Sequence, residues 1–332
     1  MNSILENLCN TDGVSGREDA VRDYIIEMVR PYADKIQVDS MGNLYVSKNG
    51  TAPCKKIMLC AHMDEVGMIV ASITDEGYIK FKTVGGIDES VLVAKRVRIG
   101  ENKVLGVTGI KAVHLLPKEK RKEKVNYEDM YIDIGALSKD DALKKVKIGD
   151  PVYFETKAEK LGDLIKGKAV DDRSGCYVLM ELLKENYKND VCFVFTVQEE
   201  VGLRGAGVAA RFVKPDECIV VDCTTCLDMI GKDDFKVSTH MGEGVAITIV
   251  DSATFVSKTF REELTRYSEK YQYKNVSFGG NDAGAVHINN IKTAALSVPG
   301  RYIHSQAGVV SPEDIDSLIK TLSNYLKETE NA

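Results

Sequence analysis

Glu199 and Glu200 stand at the end of an apolar run, Val191-Cys-Phe-Val-Phe-Thr-Val197, and just ahead of Gly202, Gly205 and Gly207. An unbroken β-branched and aromatic run predicts a strand buried on both faces. Two carboxylates at its carboxyl end sit where open α/β sheets place their ligand crevice. Alone, the pair reads as a solvated acidic turn, because charged residues are mostly exposed. Other strand ends change that reading. Lys56-Ile-Met-Leu-Cys-Ala-His-Met-Asp64 ends in His62 and Asp64, and Cys218-Ile-Val-Val-Asp222 ends in a carboxylate. His304 lies in the loop after the run Ala294–Pro299, and Asp171 lies in Gly167-Lys-Ala-Val-Asp-Asp-Arg-Ser-Gly175, just before a helix. His62, His304, Asp171, Glu200 and Asp222 thus make two imidazoles and three carboxylates on separate elements, all facing one crevice. Mixed imidazole and carboxylate donors suit zinc, cobalt or manganese better than calcium or magnesium, which prefer oxygen shells. Five donors serve two ions if one carboxylate bridges, which leaves each ion an open position.

Each residue also has a plainer role. His62 could be an interior histidine bonded to Asp64, although a metal-bound histidine needs such a partner for its other ring nitrogen. Asp171 and Asp172 could cap a helix, Asp222 could sit in a turn, and His304 could be a loop histidine. His114, His240 and His287 lack a carboxylate or strand-end setting and read as structural. Cys223 and Cys226 have metal or redox spacing but no second Cys or His pair nearby. Gly202-x-x-Gly205-x-Gly207 has the wrong spacing for a dinucleotide fingerprint and suits a tight turn with close helix–sheet packing. The run Lys118-Glu-Lys-Arg-Lys-Glu-Lys124 has no apolar period and reads as a solvated loop rather than a binding patch.

The elements needed to position these residues are legible in outline. Helices are expected at 3–10 and 16–34, and strands at 35–39 and 43–47. From Val66 to Gly162 the pattern shifts to short β-like runs at 68–73, 78–84, 96–100, 104–110 and 152–155. These predict a small barrel or sandwich inserted into an α/β chain. The α/β pattern resumes at Asp163, with helices at 174–187, 206–213 and 257–271. Strands are expected at 191–197, 218–222, 235–239, 245–250 and 294–299. Ser311-Pro-Glu-Asp314 opens the last helix. The organisation expected is a catalytic domain in two parts, 1–66 and 163–332, around an inserted β-barrel at 67–162.

Composition narrows the function classes. At 332 residues, 44% hydrophobic and 28% charged, the chain is an ordinary globular sequence. A net charge of −6 argues against nucleic acid as a partner. No stretch nears the roughly 18 apolar residues that span a bilayer, and the N-terminus lacks signal-peptide features. Eight cysteines scattered through apolar runs suit reduced, buried thiols, so a cytoplasmic location is expected.

Five ordered motifs carry a family resemblance: Ala61-His-Met-Asp-Glu-Val-Gly67, Gly167-Lys-Ala-Val-Asp-Asp-Arg173, Gln198-Glu-Glu-Val-Gly-Leu-Arg-Gly-Ala206, Gly279-Gly-Asn-Asp-Ala-Gly284 and Arg301-Tyr-Ile-His-Ser305. Over residues 10–325 the chain resembles the co-catalytic metallo-aminopeptidases of the glutamyl and deblocking aminopeptidase family, which includes the tetrahedral enzymes. Some members of that family carry the label endoglucanase. The resemblance implies an α/β fold with a mixed central sheet flanked by helices. It also implies two metal ions, with Asp171 bridging, His62 and Asp222 on one and Glu200 and His304 on the other. Glu199 would be the general base, Asp64 would orient His62, and the Asp171-Asp172 peptide would be cis. The inserted barrel would mediate dimerisation, with dimers assembling into tetrahedral dodecamers. Gly242-Glu-Gly-Val-Ala-Ile247 departs from the Gly-Pro common in relatives, at a loop that touches none of the named residues.

The expected activity is removal of N-terminal residues from peptides with a free amine, using zinc or cobalt, with manganese as a third option. A glycoside hydrolase would need two carboxyl groups flanking the bond and no metal. A non-enzymatic assembly protein would use the barrel and charged loop alone. The pocket for the first side chain decides the substrate: a basic one favours Glu or Asp, an apolar one Leu or Met.

Overall fold

The apolar runs that end in candidate residues fold as neighbouring strands of one sheet. The computed structural model describes residues 3–228, 239–274 and 279–328. The first part contributes helices α1 (Ser3–Asn10) and α2 (Asp19–Val29), and strands β1 (Lys35–Val38), β2 (Leu44–Lys48) and β3 (Lys56–His62). Next come β4 (Gly67–Ile73), β5 (Ile79–Val84), β6 (Arg96–Ile99), β7 (Val104–Gly109), β8 (Tyr131–Asp133), the short helix α3 (Lys139–Leu143) and β9 (Pro151–Phe154). Then follow β10 (Glu159–Leu161), β11 (Leu164–Gly167), α4 (Val170–Leu182), β12 (Asp190–Thr196), α5 (Arg204–Val213) and β13 (Glu217–Thr225). The chain continues through β14 (Val245–Thr248), α6 (Lys258–Thr265), β15 (Tyr271–Lys274) and α7 (Ala283–His287). It finishes with β16 (Lys292–Arg301), β17 (Gly308–Val310) and α8 (Pro312–Glu328).

The large sheet runs β1-β2-β12-β3-β13-β16-β17-β11-β10, with β14 and β15 branching from β16. Its centre, β12-β3-β13-β16, is parallel, and antiparallel strands flank it, so the sheet is mixed. Helices α1, α2, α4, α6 and α8 pack on one face, and α5 and α7 on the other. Two-sided cover explains why Ile57–Ala61 and Phe193–Phe195 are apolar without alternation. Two of the glycines after β12 have separate reasons. Gly202 has φ +119°, and a Cβ on Gly205 would lie 2.5 Å from the Val197 carbonyl.

The insertion is a closed barrel, β4-β5-β8-β7-β6-β9, with a core of its own that includes Met68, Phe81, Val97 and Ile132. Five of its strands match expected runs. The sixth, β8, has three residues and lies beyond the charged run, where Lys118, Arg121 and Lys122 are exposed. The β10–β11 hairpin belongs to the large sheet, through β11 pairing with β17.

Some local expectations differ. The helix expected over 257–271 ends at Thr265, and Tyr271–Lys274 pairs with β14 instead. The helix expected from residue 16 begins at Asp19, leaving 15–18 as a loop. The strand expected at 235–239 falls almost wholly outside the described residues. Among the described residues, no helix is long and apolar enough to cross a membrane.

An ionic cluster around the buried Asp12 ties the barrel to the sheet. Asp12 accepts Arg98 at 2.9 Å and Lys103 at 2.6 Å from the barrel, and Lys168 at 3.0 Å from the end of β11. Lys168 also meets Glu65 at 2.5 Å. Burial pushes the Asp12 carboxyl up, but Lys168 and Lys103 outweigh it and hold the group below the usual range. Asp12 and Lys168 are the buried pair, and removing one of them should cost about 3–5 kcal/mol.

Candidate metal centre

Strand register does the first positioning. His62 ends β3 beside Thr196 of β12, and the Cys60–Val220 pairing brings Asp222 level with His62 across β13. β13 does not stop at Asp222 as expected; it runs on to Thr225, alongside β16. Glu199 and Glu200 lie in the turn after β12, and His304 in the turn after β16 with φ +57°. The Asp171-Asp172 peptide at the start of α4 is cis. The two aspartates divide their roles. Asp172 caps the helix, accepting the Gly175 N–H at 2.9 Å and the His62 N–H at 3.3 Å, while Asp171 faces the cluster.

Asp171 sits between the two imidazoles. Its Oδ1 is 3.2 Å from His62 Nε2, and its Oδ2 is 3.5 Å from His304 Nε2. Asp222 Oδ1 approaches His62 Nε2 at 3.9 Å, and Glu200 Oε2 approaches His304 Nε2 at 3.3 Å. The far nitrogens are held as well. His62 Nδ1 is 3.1 Å from the Asp64 carbonyl, and His304 Nδ1 is 2.7 Å from the Gly86 carbonyl, which comes from the barrel. Asp64 also accepts the Glu199 N–H at 3.0 Å and the Glu200 N–H at 3.1 Å. Glu199 lines the same cavity, of about 420 Å³, without joining either group of close donor atoms.

The family's sequence profile, that of the M42 glutamyl aminopeptidases, matches residues 42–321. The chain belongs to that family. A TET aminopeptidase from a marine-sediment Thaumarchaeota archaeon has the same fold, with a TM-score of 0.96 at 33% identity over 99% of this chain and 96% of that one. The TET1 peptidase of Pyrococcus horikoshii, which can assemble into a tetrahedron or a large octahedral shell, gives 0.88 at 34% identity over 98% and 99%. The lysyl aminopeptidase of Pyrococcus furiosus is 29% identical over 98% of this chain and 96% of its own. As an M42 member the chain is a peptide hydrolase, an aminopeptidase by class, and its family uses divalent metal.

The M42 site fits a cation on its own chemistry. With Nδ1 donating to a carbonyl, each imidazole points Nε2 at carboxylate oxygens, as a lone pair when neutral and as an N–H when protonated. At 3.2–3.5 Å from those anions a positive charge must lie between, either a proton on Nε2 or a metal ion that takes its place. The carboxylates are crowded too. Burial, reinforced by Asp171, pushes Glu200 up to about 8 and Asp222 to about 7. Burial would lower His304, but Asp171 and Glu200 raise it to about 9. Two groups, His62–Asp171–Glu200 and His62–Asp172–Asp222, bring their donor atoms within 4.8 Å of one another. Cys223 and Cys226 join neither group and are free thiols, and His114, His240 and His287 lie outside as well.

Sequence reasoning passed over several residues at this site. Asp282, 2% exposed, takes the Thr196 hydroxyl at 2.6 Å, and its other oxygen has no partner among the described residues. Ser15 donates to Asp64 at 2.6 Å. Lys274, 6% exposed, is the one lysine or arginine lining the cavity among the described residues. The motif around Asp282 was visible as a loop. Ser15 and Lys274 carry no local signal, because distant pairing places them.

Proposed function

We propose that the chain is a two-ion aminopeptidase that removes the first residue of peptides with a free N-terminus. The observation that carries this reading is Asp171, whose two oxygens face two different imidazoles. His62 and Asp222 would hold one ion, His304 and Glu200 the other, and Asp171 both, with zinc, cobalt or manganese suited to such donors. When bound, such ions supply Lewis acidity that polarises a carbonyl and lowers the pKa of a water toward neutrality. Glu199 accepts the proton of the attacking water on a carboxylate oxygen and returns it to the leaving amide nitrogen. Asp64 orients His62 and the turn that carries Glu199. The carboxylate-rich floor draws the substrate's α-ammonium, which confines cleavage to chain ends.

Turnover of aminoacyl-p-nitroanilides, with none of the N-acetylated forms, is the expected result. Chelation should abolish it, and cobalt, zinc or manganese should restore it. Chelator-resistant turnover would refute the reading. A glycoside hydrolase is disfavoured, since its carboxyl groups flank the bond without intervening imidazoles, and a pure assembly protein has no need of this buried cluster. The exposed barrel residues Leu105 and Val107 and the TET1 assembly support self-association through the barrel into dimers and larger shells. Light scattering on the purified protein tests this, and a monomer would exclude it.

The family's description and the lysyl relative show that M42 membership does not fix the first residue. We propose that Lys274, paired in register with Thr248 across β14 and β15, selects acidic first residues. A hydrogen bond to a charged group contributes about 1.5–3 kcal/mol, or roughly 10- to 150-fold in kcat/KM. Lys274→Glu should therefore reverse the preference from Glu toward Lys substrates. An unchanged substrate ranking would exclude Lys274 from the pocket's selection.

A further inference from the structure

Three consecutive backbone N–H groups in the turn after β12 are taken up by carboxylates from elsewhere in the chain. Asp64 accepts two of them, those of Glu199 and Glu200. The third belongs to Gln198, and it donates to Glu18 Oε1 at 3.2 Å. Glu18 occupies the N-cap position of α2, yet its side chain makes no capping bond to that helix. It folds back to accept the Gly16 N–H at 2.7 Å with the same oxygen that meets Gln198. Glu18 is 5% exposed, and burial pushes its carboxyl up to about 7.

The residue it holds is the one where the turn reverses. Gln198 has φ +57°, a left-handed conformation that a side-chain-bearing residue adopts only when its surroundings impose it. The next residue is Glu199, so the backbone direction at Gln198 sets where that carboxylate stands in the cavity. Ser15, three residues before Glu18, steadies Asp64 on the other side of the same turn. The loop 15–18, which was expected to begin a helix, is instead a brace for the turn.

We infer that Glu18 is a positioning residue for Glu199, acting through the Gln198 N–H. This rests on Glu199 being the proton carrier proposed above. A misplacement of about 1 Å in a reacting group costs up to roughly 10²-fold in rate. Glu18→Ala should therefore lower kcat by about 10- to 100-fold, with KM and metal content near the parent's. Glu18→Gln keeps an oxygen acceptor at the same reach and should recover most of that loss. Hydrogen exchange of the peptide covering 197–201, measured without substrate, should quicken in Glu18→Ala and not in Glu18→Gln.

Each outcome decides. Normal kcat and normal exchange in Glu18→Ala overturn the positioning role and leave Glu199 as the base. A kcat loss matched by lost metal or a lowered melting temperature makes Glu18 merely structural. Equal damage in both variants shows that charge, and not geometry, matters. An active Glu199→Gln enzyme overturns both assignments at once.

Discussion

Glu199→Gln should bind metal as the parent does and fail to turn over substrate. Glu199 is the cavity carboxylate that belongs to neither donor group, whereas its neighbour Glu200 lies 3.3 Å from His304 Nε2. Burial, with the charges of Asp282, Asp222 and Glu200 around it, keeps its carboxyl well above the usual carboxylate range. A base tuned upward takes a proton more readily near neutral pH. Gln fills the same space and cannot accept that proton. Removing such a group costs about 10²–10⁴-fold in rate. Measured kcat should fall within that range, while metal content, read by plasma emission, stays at the parent level. Activity near the parent's would show that Glu199 does not move protons.

Asp171→Asn should be the more damaging change for metal. Its two oxygens face His62 and His304 separately, so an amide there weakens both proposed sites. Losing His304 alone leaves the His62–Asp222 side intact. The contrast is measurable: Asp171→Asn should empty the protein of metal, and His304→Ala should retain part of it. The activity loss in Asp171→Asn should exceed the roughly 10- to 100-fold typical of residues that only orient a ligand. Full metal retention in Asp171→Asn would rule out its place between two ions.

Much of this architecture was legible because burial writes itself plainly into strands. β3 and β12 are buried on both faces, so their apolar runs announced both the sheet and its crevice end. The barrel hairpins showed through their turn residues. What stayed hidden lacks local periodicity. β8, β10 and β17 have three residues each, too few for a pattern. The helix expected over 257–271 ran into Tyr271, the first residue of β15, and only pairing with β14 overrules that. In the site, His62, Asp171 and Asp222 follow from strand ends and a helix start. Glu18, Ser15 and Lys274 do not, because their partners lie far along the chain. The Glu18–Gln198 contact spans 180 positions.

The hydrogen bond from His304 to the Gly86 carbonyl bears on how this chain could be trimmed. Gly86 belongs to the insertion, beyond β5, and it fixes which ring nitrogen of His304 faces Asp171 and Glu200. A shortened chain that bridged residues 67–154 with a linker would keep every candidate donor and lose the group that orients one of them. It would also take Arg98 and Lys103 from Asp12, leaving Lys168 as the one lysine or arginine paired with that buried carboxylate among the described residues. A chain shortened in this way should therefore lose activity even with every candidate donor in place, and turnover at the parent's rate would show that the barrel is detachable.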